Sequence, residues 1–273
     1  MLPIYNKNKA YEENTYTMRT YDGGTTVLEN VENEKDIGVT IDRNLTFEKH
    51  IQIQINKANQ MLGLMRRTFL PLDNRTFSLL FKALVRPHLE YASSVWSPYK
   101  KKDINSIENV QRRATRMLPQ MKNIEYEERL RNLKLPTLKY KRMRGDMIET
   151  FKIRTGIYDK RVTKDIFHLS KSTTTRGNTY KLEKHRSARD LRKYNFTNRV
   201  VDLWNSLPDT IVTSKTIHQF ENRLEKYWEN HHMKFDYNSE YGPPTGRKTV
   251  KVEEDDEEEL PIEDQKVLRA ETT

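Results

Sequence analysis

The sequence contains no cysteine, which excludes disulfide bonds, thiolate metal sites and cysteine nucleophiles. Glycine is scarce, with nine residues in 273, and neither G-x-x-x-x-G-K-[ST] nor G-x-G-x-x-G occurs. The nucleophile motif G-x-S-x-G is missing too. The sequence therefore carries no motif typical of a nucleophilic or nucleotide-hydrolysing enzyme.

Long apolar runs are also missing. No window approaches the roughly 20 apolar residues that a membrane-spanning helix needs, and the N-terminus has no apolar core of signal-peptide length. The N-x-Thr sites at Asn44, Asn74 and Asn195 then carry little weight as glycosylation sites. These features predict a protein of the cytoplasm, the nucleus or both, with no membrane contact.

Positive charge is what the sequence has in excess. The formal net charge is +10, yet residues 251–273 hold ten acidic and three basic residues, so residues 1–250 carry about +17. A basic body indicates a polyanionic partner, most simply nucleic acid, because neutralised phosphates release counterions. The alternative is a protein with many surface lysines. From about residue 235 the chain is predicted to be a disordered acidic tail, with a possible protein partner.

Apolar periodicity predicts a mainly α protein with a small β segment near the N-terminus. Alternation in "DIGVTID" at residues 37, 39 and 41 predicts a half-buried strand, and we assign one or two strands to 27–42. "YDGG" before them is typical of a turn. A long amphipathic helix is predicted from about Thr46, its expected N-cap, to Arg66 and Arg67.

Further helices follow, with recognisable ends. Asp73 or Asn74 can cap the first of them, Gly156 suits a helix C-terminus, and Thr216 with Gln219 fits a capping box. The predicted helices are those from 74 to the break at Pro87, about 102–118, 124–135, 137–155, 196–207 and 216–229.

The stretch "LVRPHLEYASSVW" brings His88, Glu90 and Tyr91 close together and raises the question of an acid–base site. No metal box or substrate-binding motif accompanies them, so we favour a structural elbow that positions the next helix. Pro87 is expected to kink or restart a helix and to bias Arg86 away from helical geometry. If a helix does continue through it, Arg86 and Glu90 form an i,i+4 pair.

Basic residues are dense in the middle of the chain. Between Lys100 and Lys160 there are 17 Lys and Arg against 8 Asp and Glu, and "QRRATRM" and "KYKRMRG" place arginines on predicted helices. Such arginines suit phosphate contacts, although solvated helix faces are the alternative. A third basic stretch follows at 181–193. The candidate nucleic-acid-binding residues are Arg66, Arg67, Arg112, Arg113, Arg116, Lys139, Lys141, Arg142, Arg144, Arg176 and Lys181.

No catalytic or metal-binding residue is assigned. His231 and His232 are adjacent but lack further ligands at metal spacing. Asp255 and Asp256 are the only adjacent aspartates, and they lie in the acidic run. Two-metal catalysis needs carboxylates on rigid elements, which such a run does not supply.

Five blocks, in order, resemble one family. They are "EKDIGVTIDRNLTFEKHI", "LFKALVRPHLEYASSVWSPYKKKDINSIENVQRRATRML", "LRNLKLPTLKYKRMRGDMIETFKI", "TTTRGNTYKL" and "FTNRVVDLWNSLPDTIV". From about Lys35 to Trp228 the chain resembles the C-terminal part of the reverse transcriptase of non-LTR, LINE-type retrotransposons, the jockey-like group above all.

The resemblance implies a division of the chain. Residues 1–45 would be a remnant of the palm edge strands, 46–118 a thumb-like helical region, 119–234 a helical connector and 235–273 the acidic tail. The family enzyme is an RNA-directed DNA polymerase that uses Mg²⁺. Its Ala/Asp/Asp metal box, upstream palm aspartate, fingers and endonuclease are not in this chain. We therefore expect no polymerase activity and no cofactor here, but retained binding of RNA or an RNA–DNA duplex.

Other functions stay open at this point. The chain could be a domesticated or degenerate protein-interaction module that uses its acidic tail. It could also be a gene fragment without stable function, because strands that have lost the rest of the palm keep an unpaired edge. An active polymerase is the least favoured reading.

Overall fold

The computed structural model describes residues 2, 15–69, 72–170 and 178–239. Helices dominate these ranges, which confirms the predicted mainly α class. The α-helices are α1 Glu48–Thr68, α2 Asn74–Leu80, α3 Arg86–Glu90, α4 Ser93–Trp96, α5 Lys101–Thr115, α6 Tyr126–Leu133, α7 Leu138–Thr155, α8 Lys160–Thr163, α9 Asp190–Lys193, α10 Phe196–Asn205, α11 Asp209–Val212 and α12 Ile217–Tyr227. A π-helical turn covers Phe81–Val85, and 3-10 turns cover Pro119–Met121 and His232–Lys234.

The strands form two separate antiparallel hairpins. They are β1 Thr17–Arg19 with β2 Thr25–Val27, and β3 Asn33–Asp36 with β4 Val39–Asp42. The predicted "YDGG" turn closes the first hairpin, whose register places Met18 opposite Thr26. In the second hairpin Glu34 faces Ile41. Each strand in 27–42 therefore pairs with the strand next to it along the chain.

The alternation predicted at residues 37, 39 and 41 holds for two positions only. Val39 is buried and Ile41 is partly buried, but Ile37 is exposed. Ile37 and Gly38 have φ values of 41° and 81° and form the tight turn between β3 and β4. Two-residue hairpin turns need positive φ at their central positions, so the turn takes Ile37 out of the strand.

The second hairpin is fixed to the start of α1. The N–H of Thr40 donates to Nδ1 of His50 over 3.1 Å, and burial lowers the pKa of His50, which favours the neutral ring that can accept this bond. The Asp42 carboxylate accepts hydrogen bonds from the N–H groups of Thr46 and Phe47. The predicted N-cap Thr46 is one residue early: Phe47 is the N-cap, in left-handed geometry, and Asp42 supplies the side-chain acceptor.

The helix after Asp73 continues through Pro87, so the predicted break there is wrong. Asp73 caps α2 as expected, and Arg86 has helical φ and ψ values of −60° and −38°. The π turn before Pro87 winds more loosely than an α-helix, which relieves the clash of the proline ring with the carbonyl four residues earlier. Arg86 Nε lies 2.9 Å from Glu90 Oε1, as the i,i+4 spacing predicts.

The stretch after Glu90 is an elbow that leads into α5. Ala92 has a φ of 52°, and α4 follows directly. Trp96 is fully enclosed, and its Nε1 donates to the carbonyl of Tyr91, whose hydroxyl donates to the carbonyl of Ile37. These contacts fix the elbow to the second hairpin.

Two apolar cores organise the described residues. The first contains the faces of α1, α2, α3, α5 and α6, with Phe77, Phe81 and Trp96 among its largest members. The second lies between α7, α10, α11 and α12 around Phe151, Trp204 and other aromatic rings. The first core extends to Leu138. Residues 119–138 therefore pack with the predicted thumb-like region, although the predicted boundary lies at 118.

Helix α7 connects the two cores. Its first residue, Leu138, belongs to the first core, and from Tyr140 onward its apolar residues belong to the second. Asp146 accepts two hydrogen bonds of 2.9 Å from Arg199 of α10, and Arg199 also donates to the carbonyl of Ser94 in α4. Both cores are therefore tied to the middle of α7.

Residues 235–239, which we predicted to begin a disordered tail, lie against the body. Phe235 packs on the first core with the Arg131 guanidinium 4.7 Å from its ring centre. The Tyr237 hydroxyl accepts a hydrogen bond of 2.6 Å from Arg112. The rest of the predicted tail, residues 240–273, lies outside the described residues.

No helix of the described residues is long and apolar enough to cross a membrane.

Candidate nucleic-acid interface

Helices α1 and α5 lie side by side and run in the same direction. At their starts, Lys100 and Lys102 contact the Glu48 carboxylate at 2.5 and 3.0 Å. Further along, Arg113 Nη2 donates to Asn59 Oδ1 over 3.1 Å. Each contact joins residues that are about equally far from the start of their helix, which requires the two helices to run parallel.

The solvent-facing polar side chains of this helix pair form one surface along the line between the two helices, and we call it the α1–α5 groove. Its α1 side is formed by Gln52, Asn56, Asn59, Gly63, Arg66 and Arg67, and its α5 side by Lys102, Ser106, Asn109, Arg113 and Arg116. Successive members on each side are mostly three or four residues apart and therefore share one helix face. Nη1 of Arg67 lies 4.0 Å from where a β-carbon of residue 63 would be, so Arg67 leans back along the groove.

The α1–α5 groove has little negative charge. Glu48 is the only acidic residue of α1, and it is held by two lysines. In α5 the acidic residues are Asp103 and Glu108, and Glu108 is fully buried. Arg66, Arg67 and Arg116 are exposed and form no ion pair with a described residue. These arginines are therefore available to an anion.

Arg112, in contrast, is partly buried and bonded within the protein. Its guanidinium lies 5.1 Å from the ring centres of both Tyr126 and Tyr237, and Nη1 donates to Asn109 over 3.0 Å. With the bond to the Tyr237 hydroxyl, two of its donors are occupied. The sequence motif "QRRATRM" thus divides, with Arg113 and Arg116 on the groove and Arg112 under the C-terminal segment.

The basic motif of α7, "KYKRMRG", does not form a phosphate-binding face. Arg142 is only 4% exposed, and burial lowers its pKa, an effect that the charges of Glu108, Glu90 and Asp146 oppose. Because α7 lies between the two cores, a side chain at this position points into protein. This burial argues against the predicted phosphate contact by Arg142.

Arg144 and Lys139, on the same helix as Arg142, bond other parts of the protein. Arg144 Nη2 lies 3.6 Å from carboxylate oxygens of Glu221 and Glu225 on α12. Lys139 Nζ donates to the carbonyls of Tyr237 and Ser239. Lys141 is partly buried, and burial lowers its pKa, with the Arg86 charge adding to the effect.

Of the last two predicted residues the structure describes only Lys181, which is not part of the α1–α5 groove. Lys181 is partly buried beside the second core, and its carbonyl accepts a hydrogen bond from Ser170 N–H. Arg176 lies outside the described residues. Of the eleven predicted residues, the structure places Arg66, Arg67, Arg113 and Arg116 toward the C-terminal ends of the two parallel helices.

The buried carboxylate of Glu108 connects α5 to the elements packed beneath the groove. Glu108 accepts hydrogen bonds from the Tyr126 hydroxyl over 2.6 Å and from Leu138 N–H over 3.0 Å. Burial raises the pKa of Glu108, and burial with the Glu108 charge raises the pKa of Tyr126. This contact connects α5, α6 and the start of α7, so it fixes α5 in place beneath its exposed arginines.

A second feature was not predicted from the sequence. An open cleft of about 740 Å³ lies between the two cores, next to the first residues of α1 and α10. Arg189, Arg192, Tyr99 and Tyr194 line it, and the two tyrosine rings stack with centres 4.5 Å apart. The basic stretch at 181–193 hints at this cleft, but Tyr99 comes from a distant part of the chain.

Metal ligands are not clustered in the described ranges, where no three His, Asp or Glu side chains are arranged to hold an ion.

Comparison with known proteins gives no match: no family model fits the chain, and no curated protein or solved structure is significantly similar. The likeness to reverse transcriptases stays a prediction from the sequence blocks.

Proposed function

We propose that this chain binds RNA or an RNA–DNA duplex along the α1–α5 groove, as a catalytically incomplete part of a non-LTR retrotransposon reverse transcriptase. The observation that carries the proposal is the set of exposed arginines on two neighbouring parallel helices. Arg66, Arg67 and Arg116 face solvent without an ion-pair partner among the described residues. Amide side chains continue the same surface from these arginines toward the N-terminal ends of both helices.

The shape and chemistry of the groove favour an A-form duplex. Helix α5 has 15 residues, and at about 1.5 Å per residue the groove has both of its sides over about 22 Å. Guanidinium groups contact phosphates. Asn56 and Asn59 can donate to and accept from the 2′-hydroxyls that an A-form minor groove presents. A groove with arginines at one end and amides along the rest of its length suits such a surface.

The sequence resemblance supports nucleic acid as the partner. The quoted block that ends in "QRRATRML" includes all of α5, which supplies one side of the groove. The family's metal box is not among the quoted blocks, so the proposal concerns binding and not nucleotide transfer.

Fluorescence anisotropy with a short RNA–DNA duplex over a series of salt concentrations tests the proposal. The triple variant Arg66→Gln/Arg67→Gln/Arg116→Gln should bind at least tenfold more weakly. The slope of log affinity against log salt should fall by about 1 for each phosphate that an arginine no longer neutralises. Arg113 is left unchanged because it bonds Asn59.

The control is Lys164→Gln/Lys215→Gln/Lys226→Gln, which removes the same charge from exposed positions outside the groove. It should retain most of the affinity. Equal decreases in affinity for the two triple variants would show that net charge alone drives binding. Absence of binding by the unmodified chain at low salt would contradict the proposal outright.

A further inference from the structure

The cleft between the cores combines features of a nucleotide site. We propose that it takes an unpaired nucleotide that extends from a duplex bound in the α1–α5 groove, an inference that rests on the proposed function. At about 740 Å³ the cleft falls within the usual size range of ligand pockets. Aromatic rings and arginines occur together in its wall, as they do in single-strand binding sites.

The charge of the cleft favours a phosphate. Arg189 and Arg192 are exposed, line the cleft and form no ion pair with a described residue. Glu149 is the one carboxylate among the described lining residues. It is already bound by Lys152 Nζ at 2.9 Å and by the Tyr158 hydroxyl at 2.6 Å. The arginines are therefore the uncompensated charges of the cleft.

The aromatic wall offers a stacking surface. The rings of Tyr99 and Tyr194 are nearly parallel, with 6° between their planes, and Phe47 and Phe196 line the same space. A base that packs against such rings contributes binding in a sequence-tolerant way, because every base has a π face. We therefore expect no strong preference among the four bases.

The position of the cleft connects it to the groove. Phe47 directly precedes α1, and Tyr99 precedes the lysines that contact Glu48 at the start of α5. The cleft thus lies at the end of the groove that is opposite Arg66 and Arg116. The first turns of both groove helices are therefore next to residues of the cleft wall.

The test compares a blunt RNA–DNA duplex with the same duplex that carries three unpaired nucleotides at one end. The unmodified protein should bind the extended duplex about tenfold more tightly, because stacking adds to the affinity. Arg189→Gln/Arg192→Gln should lose this advantage and keep its affinity for the blunt duplex. Tyr194→Leu should reduce the advantage in the same way.

The control Arg186→Gln/Lys215→Gln removes equal charge from exposed positions outside the lining and should keep the advantage. Thermal melting verifies that each variant is folded. If blunt and extended duplexes bind equally, or if Arg189→Gln/Arg192→Gln keeps the advantage, the cleft proposal is wrong while the groove proposal stands. If the unmodified protein binds neither duplex, the proposed function fails and the cleft proposal fails with it.

Discussion

Two basic motifs that look alike in the sequence have opposite positions in the structure. "QRRATRM" in and after α5 places Arg113 and Arg116 on the surface of the α1–α5 groove. "KYKRMRG" in α7 places Arg142 in the interior and Arg144 against two glutamates of α12. Charge density along a helix is therefore not sufficient to identify a phosphate-binding face.

The difference comes from how much of each helix is covered. Ile107, Val110 and Ala114 of α5 face the first core and leave the other side of the helix to solvent. Helix α7 contacts α5 and α3 on one side and α10 and α12 on the other. Its polar side chains must then find partners inside the protein, since an unpaired buried charge is costly.

The largest effect is expected where the α7 charges are buried. Asp146→Asn removes the charge that pairs with Arg199 and lies near Arg142. We expect the free energy of unfolding to fall by about 3 kcal/mol, the usual cost of breaking a buried pair. Chemical denaturation measures it.

Asp202→Asn is the matched control on the neighbouring helix α10. Asp202 is exposed and pairs with Lys184, so this substitution should cost at most about 1 kcal/mol. If Asp146→Asn were no more harmful than this control, the α7 charges would not stabilise the fold, and the comparison between the two motifs would fail.

A smaller effect is expected where the C-terminal segment covers Arg112 and Lys139. A chain that ends at Ser239 should keep its thermal stability, because its packing on the body is intact. A chain that ends at Lys234 no longer has the packing of Phe235 and Tyr237 and should be less stable by about 2 kcal/mol. Thermal and chemical unfolding of the two truncated proteins compare these values.

The same truncated proteins test whether the acidic tail weakens binding of RNA. Residues 240–273 contain eleven acidic and five basic residues, so their removal should raise the affinity for RNA at low salt and have less effect at high salt. Unchanged affinity at low salt would show that the tail does not act on the basic groove. A partner protein that binds only the full chain would favour the interaction-module alternative.

Much of the fold could be predicted from local patterns. The long helix α1, the cap at Asp73 and the end of α7 at Gly156 follow from periodicity and cap chemistry, and each is present. At α12, Thr216 accepts from Gln219 N–H as expected. The Gln219 side chain bonds the N–H of Lys215, one residue before the cap.

The errors occurred where tertiary packing outweighs a local rule. Pro87 stays in a helix because a π turn precedes it, and nothing in the sequence specifies that turn. The charges around buried Arg142 include Glu90 of α3, Glu108 of α5 and Arg199 of α10, which are more than 30 residues away in sequence. The cleft is formed by residues near 47, 99 and 192, so periodicity within any one segment could not reveal it.

The most direct test is to label arginines with a dicarbonyl reagent, with and without bound RNA–DNA duplex, and to map the products by mass spectrometry. The account predicts that Arg66, Arg67 and Arg116 react in the free protein and are protected by the duplex. It predicts that Arg142 stays unmodified in both states of the folded protein. Ready modification of Arg142, or no protection of the three groove arginines by a duplex that is shown to be bound, would contradict it.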